Sequence, residues 1–179
     1  MSHPWAEEAV FYHIYPLGLT GAPRRNDFAA PPVARLEQLY PWLDHIQSLG
    51  ATALYLGPLF ESSAHGYDTA DYYWVDRRLG SNDTLAAFAR ELHRRGLRLV
   101  LDGVFNHVGR DFWAFRDVQA NGPASPYAGW FAGLDFSRRS PYGDAFAYQG
   151  WAGNYDLVKL NGEHPDVRQH LLGAVTRWV

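Results

Sequence analysis

Asp102, Asn106 and His107 bring a carboxyl, a carboxamide and an imidazole together in the stretch Arg98 to Gly109, Arg-Leu-Val-Leu-Asp-Gly-Val-Phe-Asn-His-Val-Gly. Between them these groups can donate, accept and transfer protons. Leu99 to Leu101 follow a helix-stop glycine at Gly96 and run without polar alternation, which suits a strand covered on both faces. That strand delivers Asp102 to its carboxyl end, with Asn106 and His107 in the loop beyond, where an α/β sheet carries its chemistry. Taken alone, Asp102 could as well make a turn and Asn106-His107 fill a loop.

The elements that must position these groups can be read along the chain. Ala9 to Tyr15 is aromatic and β-branched and stops at Pro16, so it reads as a first strand. Residues 17 to 32 are rich in glycine and proline and form a loop. Leu36, Leu39, Leu43, Ile46 and Leu49 recur at helical spacing, with Gly50 as a stop; Pro41 either opens this helix or kinks a longer one. Ala53 to Leu56 is a second strand. Ser81 or Asn82 caps a second helix, which buries Leu85, Phe88, Ala89 and Leu92 and ends at Gly96, just before the third strand. Strand, helix, strand, helix, strand implies a parallel α/β sheet with right-handed crossovers, and leaves a doubly wound sheet and a barrel equally open.

A third helix starts near Pro165, with His164 in the cap position and Val167, Leu171, Val175 and Trp178 on one face. Before it lie 62 residues, Gly103 to His164, where a strand-to-helix loop has about two to six. Thirteen of them are aromatic, too many for a disordered linker, so the insertion reads as a functional subdomain.

Composition narrows the function classes. At 179 residues the chain can bury one good core, but it is short for a (β/α)8 barrel of roughly 250. Net charge is −3 and the arginine pairs are scattered, which argues against nucleic acid as a partner. Without cysteine there is no disulfide framework and no thiolate metal site. The start, Met1 to Glu8, lacks the pattern of a signal peptide, and no apolar run approaches about 18 residues, so a soluble, cytoplasmic protein with no membrane partner is expected. Aromatics make up 16% of the chain; such rings fill cores and also stack on sugar faces, so their number alone separates neither role.

Asp102-Gly-Val-Phe-Asn106-His107 resembles the signature at the end of the third barrel strand in the α-amylase family of glycoside hydrolases, family 13. Leu54 to Phe60, His65-Gly66-Tyr67-Asp68 and Leu157-Val158-Lys159-Leu160-Asn161 match further family segments in the same order. The form of the last segment is similar to the branch of cyclomaltodextrinases, neopullulanases and oligo-1,6-glucosidases. The resemblance implies a partial (β/α)8 barrel: residues 1–103 as the first three βα units, 104–164 as a domain B-like insertion after the third strand, and 165–179 as the third barrel helix. It also implies a retaining glycosidase acting on α-1,4 or α-1,6 glucosidic bonds by hydrolysis or transfer.

Retention needs two carboxyl groups about 5 to 5.5 Å apart. In the family these stand on the fourth and fifth strands, with a third carboxylate after the seventh, so all three are expected after Val179 and no residue of the chain is assigned a catalytic role. The chain alone is expected to be inactive and to need the complementary C-terminal part of the barrel. By resemblance, Tyr67 is the platform under the sugar at the scissile bond, His107 donates to a hydroxyl of that sugar, and His65 reaches the adjacent one. Asp102 orients an arginine preceding the missing nucleophile, with Asn106 and Asp68 in supporting positions. Many α-amylases bind calcium through the counterpart of Asn106 and an acid where this chain has Lys159; an ammonium there disfavours calcium, so neither a metal nor any other cofactor is expected. The partner is an α-glucan or maltooligosaccharide. The competing reading is a non-catalytic α-glucan-binding or partner-binding module derived from a truncated amylase-like chain.

Overall fold

The computed structural model describes residues 4–179; Met1 to His3, part of the stretch read as lacking a signal peptide, lie outside them. In chain order, Phe11–Ile14 forms β1, Trp42–Ser48 α1, Ala53–Leu56 β2, Phe60–Ser62 β3, Thr69–Val75 β4, Asn82–Arg94 α2 and Arg98–Leu101 β5. His107–Gly109 is β6, Trp113–Asn121 α3, Gly150–Trp151 β7, Asn154–Lys159 β8 and Pro165–Trp178 α4. The chain divides into two compact units, Met1–Leu59 with Trp74–Gly103, and Phe60–Tyr73 with Val104–Val179.

In the first unit β1, β2 and β5 form a parallel sheet in that order, with Tyr12 opposite Leu54 and Leu54 opposite Leu99. The central strand buries Ala53, Leu54 and Leu56. Leu99, Val100 and Leu101 are only half-buried, against the expectation of a strand covered on both faces. Their apolar run marks a strand correctly, but β5 is outermost in this sheet and lacks a neighbour to complete its cover. The first strand is also shorter than its apolar stretch, because Pro16 starts a helical turn, Pro16–Leu19.

Pro41 resolves the first helix. It is the N-cap of α1, and the leucines before it belong to a separate 3₁₀ turn, Arg35–Leu39. Leu36, Leu39, Leu43 and Ile46 are buried, whereas Leu49 falls on the C-cap and is 58% exposed. Ser81, not Asn82, caps α2: its Oγ accepts from the Thr84 N–H at 3.2 Å while its own N–H donates to Thr84 Oγ1 at 3.1 Å, a capping box. Asp76 and Arg78 form a buried ion pair at 2.7 Å, and the same guanidinium donates to the Pro23 carbonyl at 2.9 Å, fixing the glycine- and proline-rich loop.

The second unit contains a two-stranded sheet of β3 and β4 that the sequence reading did not anticipate. Thr69 to Val75 is rich in aromatic and β-branched residues, but β3 has three residues, too few to show a period. The other sheet has the order β6-β8-β7 and is antiparallel, placing His107 opposite Lys159 and Trp151 opposite Asn154. Six of the thirteen aromatic residues of 104–164 are buried: among them Phe115, fully buried on α3, meets Phe131, Phe146 and Tyr148 edge-on at 5.1, 5.8 and 5.1 Å.

α4 begins at Pro165, and His164 caps it by accepting from the Asp166 N–H through Nδ1 at 3.3 Å. Val167 and Ala174 are buried, and the Trp178 indole N–H donates to the Tyr72 carbonyl at 2.7 Å. Val175, expected on the inner face, is 38% exposed. His170 takes that face instead, packed among Tyr73, Trp113 and Trp130 with ring centroids at 5.2 to 5.6 Å. No helix among the described residues is long and apolar enough to cross a membrane.

Candidate functional site

The loop between β3 and β4 carries His65, Tyr67 and Asp68, and Asp68 organises it. Its Oδ1 accepts from the backbone N–H groups of His65 and Gly66, both at 3.0 Å, and its carbonyl accepts from the Ser63 N–H at 3.2 Å. Burial pushes the Asp68 carboxyl up, opposed by His65 and by these backbone donors. The His65 ring lies 3.5 Å from the same Oδ1, and its Nδ1 accepts from the Tyr67 N–H at 3.2 Å. The loop is thereby closed on itself, with the Tyr67 side chain left 42% exposed.

Gly109 brings this loop against β6. A Cβ there would come within 2.8 Å of the Asp68 carbonyl carbon, so only a glycine allows the approach. Two residues earlier on β6, His107 is 6% exposed, and its buried Nε2 has no hydrogen-bond partner. Its Nδ1 lies 3.2 Å from the Asn106 amide nitrogen, an arrangement in which Nδ1 accepts and the proton sits on Nε2. Burial pushes the imidazole pKa down, the Tyr67 carbonyl opposes this, and His65 adds to it. The ring lies close to Tyr67, and its Nε2 has no hydrogen-bond partner within bonding distance among the described residues. A buried polar atom without a partner is uncommon and calls for a ligand or a functional reason.

The exposed face of the second unit also holds Trp151, which is 51% exposed and stacks on His107 with ring centroids 5.3 Å apart at 29°. Arg110, next in sequence to Gly109, anchors a cluster of its own in this unit. It makes two 2.9 Å bonds to the Asp144 carboxylate, donates to the Tyr148 hydroxyl, and lies 4.5 Å from the Tyr142 ring centroid. Burial by itself would raise the Asp144 carboxyl, but bonds from Arg110, Ser140 and Gln119 hold it below the usual range. Burial also pushes the Tyr148 hydroxyl up to about 12, against the pull of Arg110.

Asp102, Asn106 and Lys159, the other residues expected to matter, can also be located. Asp102 follows β5 in the first unit, half-buried, with its N–H donating to the Leu56 carbonyl at 3.1 Å; its carboxylate makes no hydrogen bond or ion pair among the described residues. Asn106 and Lys159 line one cavity in the second unit, and the Asn106 carbonyl accepts from the Leu160 N–H at 3.0 Å. The structure thus brings His65, Tyr67, Asp68, Asn106 and His107 into one unit, with Asp102 in the other.

Residues 35–179 match the model of the α-amylase catalytic domain. The chain belongs to the α-amylase family. It is 37% identical over 193 residues to a cyclomaltodextrinase from a Bacillus species, covering 98% of this chain and 34% of that protein. It is also 37% identical over 194 residues to neopullulanase 2 from Thermoactinomyces vulgaris, covering 98% of this chain and 32% of that one. Among solved structures, the ligand-free cyclic α-maltosyl-(1→6)-maltose hydrolase of Arthrobacter globiformis superposes with a TM-score of 0.84 at 35% identity, covering 99% of this chain and 43% of that one. The same hydrolase has also been solved in complex with maltose, at 36% identity. This chain therefore spans about a third of the length of the curated relatives it matches. The cyclomaltodextrinase and neopullulanase branch read from Leu157 to Asn161 agrees with these relatives, and the α/β fold is part of the family's (β/α)8 barrel.

For an α-amylase family chain, the donor set around Asn106 is unusual for calcium. A hard dication needs several oxygen ligands, some of them anionic; Lys159 instead sets an ammonium on the wall that Asn106 shares, with Arg138 and Arg139 on the same wall. These residues do not fit the ion, and no group of three or more acidic, histidine or cysteine side chains among the described residues could hold a metal. Trp151 and Arg110 were not singled out by sequence reasoning. Their partners, His107 for one and Asp144 for the other, are 44 and 34 positions away, so no local pattern marks them.

Proposed function

We propose that this chain supplies the sugar-recognition part of a retaining α-glucan-active glycosidase. The observation that carries the reading is the pairing of an exposed Tyr67 ring with a buried, neutral His107 whose Nε2 lacks a partner. An aromatic face and a fixed donor are what a pyranose offers to satisfy, with its apolar C–H face and its rim of hydroxyls. Tyr67 lies under the sugar at the bond to be cleaved, excludes water, and favours positive charge developing on the ring. His107 donates to one hydroxyl, which satisfies its Nε2, and His65 reaches the next. Asp68 and Asn106 hold these rings through the bonds described above. Asp102 keeps its carboxylate for an arginine of the adjoining barrel, and the three catalytic carboxyl groups belong to residues beyond the 179. The name of the maltose-bound relative supports maltooligosaccharides as ligands, and that of an intracellular maltogenic amylase from Bacillus subtilis supports a cytoplasmic setting.

Calorimetric titration of the purified chain with maltose tests this. Binding that weakens at least about ten-fold in both Tyr67→Ala and His107→Ala is expected, with no release of reducing sugar from maltooligosaccharides. Turnover by the 179-residue chain would overturn the placement of the acids. Unchanged affinity in both variants would overturn the sugar site.

A further inference from the structure

A donor such as His107 is useful to a sugar only if its ring is held still, and the chain leading to it has no regular structure to hold it. Residues 102–106 lie in no helix or strand, and β6 begins at His107 itself. The part that restrains them comes from β4. Tyr72 is fully buried there, and its hydroxyl donates to the Val104 carbonyl at 2.5 Å, with the His107 carbonyl next at 3.3 Å. A phenol has a single proton, so the shorter bond holds it and the His107 carbonyl is the alternative acceptor. One hydroxyl thus meets both ends of the bend that carries Asn106.

The Tyr72 ring is as fixed as its hydroxyl. It packs against Phe60, Phe105, Phe112 and His170 with ring centroids 5.6 to 6.4 Å apart, and the Tyr72 carbonyl accepts from the Trp178 indole N–H at 2.7 Å. Phe105 belongs to the bend, so the bend wraps around the ring to which it is bonded. Burial pushes the phenol well above its ordinary value, against a hydrogen bond with Thr69, so the hydroxyl keeps its proton and stays a donor. Tyr73, one residue on, supplies the contrast. Its hydroxyl donates to the His170 carbonyl at 3.0 Å, on α4, a helix that carries no residue of the sugar site.

We infer that Tyr72 is a positioning residue of the sugar site: its hydroxyl sets the backbone at Val104 and His107, and through it the place of the His107 ring beside Tyr67. This rests on the reading above and adds the group that aims the donor. The hairpin of β3 and β4 then serves both halves of the site, its turn presenting Tyr67 and its second strand holding His107.

The test compares the parent chain with Tyr72→Phe and Tyr73→Phe by calorimetric titration with maltose. Each variant keeps its ring and loses one hydroxyl bond to a backbone carbonyl, so a general loss of stability would be shared by the two. Tyr72→Phe should bind maltose about five- to ten-fold more weakly, and Tyr73→Phe within about two-fold of the parent. A proton NMR titration of the His107 ring, assigned by its loss in His107→Gln, gives a second readout. Burial holds the His107 pKa down, so a bend released in Tyr72→Phe should move its midpoint upward, and Tyr73→Phe should not. A third readout needs no variant: the Tyr72 hydroxyl proton of the parent, assigned through its own ring protons, should shift when maltose loads His107. Equal weakening in both variants, an unmoved His107 midpoint or a hydroxyl signal indifferent to maltose would overturn the positioning role and leave the sugar site standing. Failure of the parent to bind maltose would overturn the sugar site, and the His107 midpoint would still decide whether Tyr72 sets that ring.

Discussion

Replacing Gly109 by alanine should uncouple the two halves of the sugar site. The new Cβ would lie within 2.8 Å of the Asp68 carbonyl carbon and 3.1 Å of the Asp68 Cβ. The carbonyl is backbone, already committed to the Ser63 N–H at 3.2 Å, so it cannot swing aside as a side-chain tip would. Overpacking of this kind costs about 1–3 kcal/mol, and the rigid obstacle puts this case near about 3. For a chain of this size each kcal/mol lowers the melting temperature by about 2–4 °C, so a drop of roughly 6–12 °C is expected by circular dichroism. The loop that yields carries Tyr67, next in sequence to Asp68, so maltose affinity should fall about ten-fold in the folded variant. Gly162→Ala is the control: nothing lies within 4 Å of its Cβ position, and its stability should stay within about 0.5 kcal/mol of the parent. A Gly109→Ala variant that melts within about 1 °C of the parent and binds maltose normally would show that the close approach does not organise the site.

Other tests follow from the same structure. Burial depresses the His170 pKa, with Asp71 opposing; a depressed histidine leaves stability intact above its unfolded value of about 6.5 and loses it as pH falls through that value. His170→Phe also removes a buried Nε2 without a partner, so it should flatten the fall in melting temperature between about pH 7 and pH 5, and an unaltered acid limb would refute this. Asp144→Asn discards the charge that Arg110 grips and should cost about 2–3 kcal/mol at pH 7. Because the Asp144 carboxyl is held low, that gap should close below about pH 4, and a gap independent of pH would contradict the assignment. Calcium and EDTA should leave the melting curve unchanged, and metal analysis finding stoichiometric calcium would show that Lys159 does not exclude it.

The sequence carried the parts of the fold that depend on nearest neighbours in the chain. Gly96, Pro165 and Ser81 announce helix ends through backbone requirements that act locally, and the apolar run at Ala53 to Leu56 announces the central strand. Where the outcome depends on distant partners, the reading stopped short. Leu99 to Leu101 look the same whether or not a further strand covers them. Val175 and His170 exchange places on α4 because the inner face is completed by Tyr73, Trp113 and Trp130, which come from three separate stretches. At the site, His65 to Asp68 and Asn106-His107 were visible as motifs through family resemblance. The reason they meet lies in the missing side chain of Gly109, and Trp151 could not be told from its buried aromatic neighbours by composition.

The two compact units alternate along the chain, since Phe60–Tyr73 belongs with Val104–Val179 while the residues on either side belong to the other unit. During synthesis the hairpin bearing Tyr67 leaves the ribosome ahead of β6, the strand it packs on. At about 5–20 residues per second it waits for a few seconds. Throughout that interval its aromatic strand, Thr69 to Val75, has no finished shelter and offers the newborn chain an apolar segment open to wrong contacts.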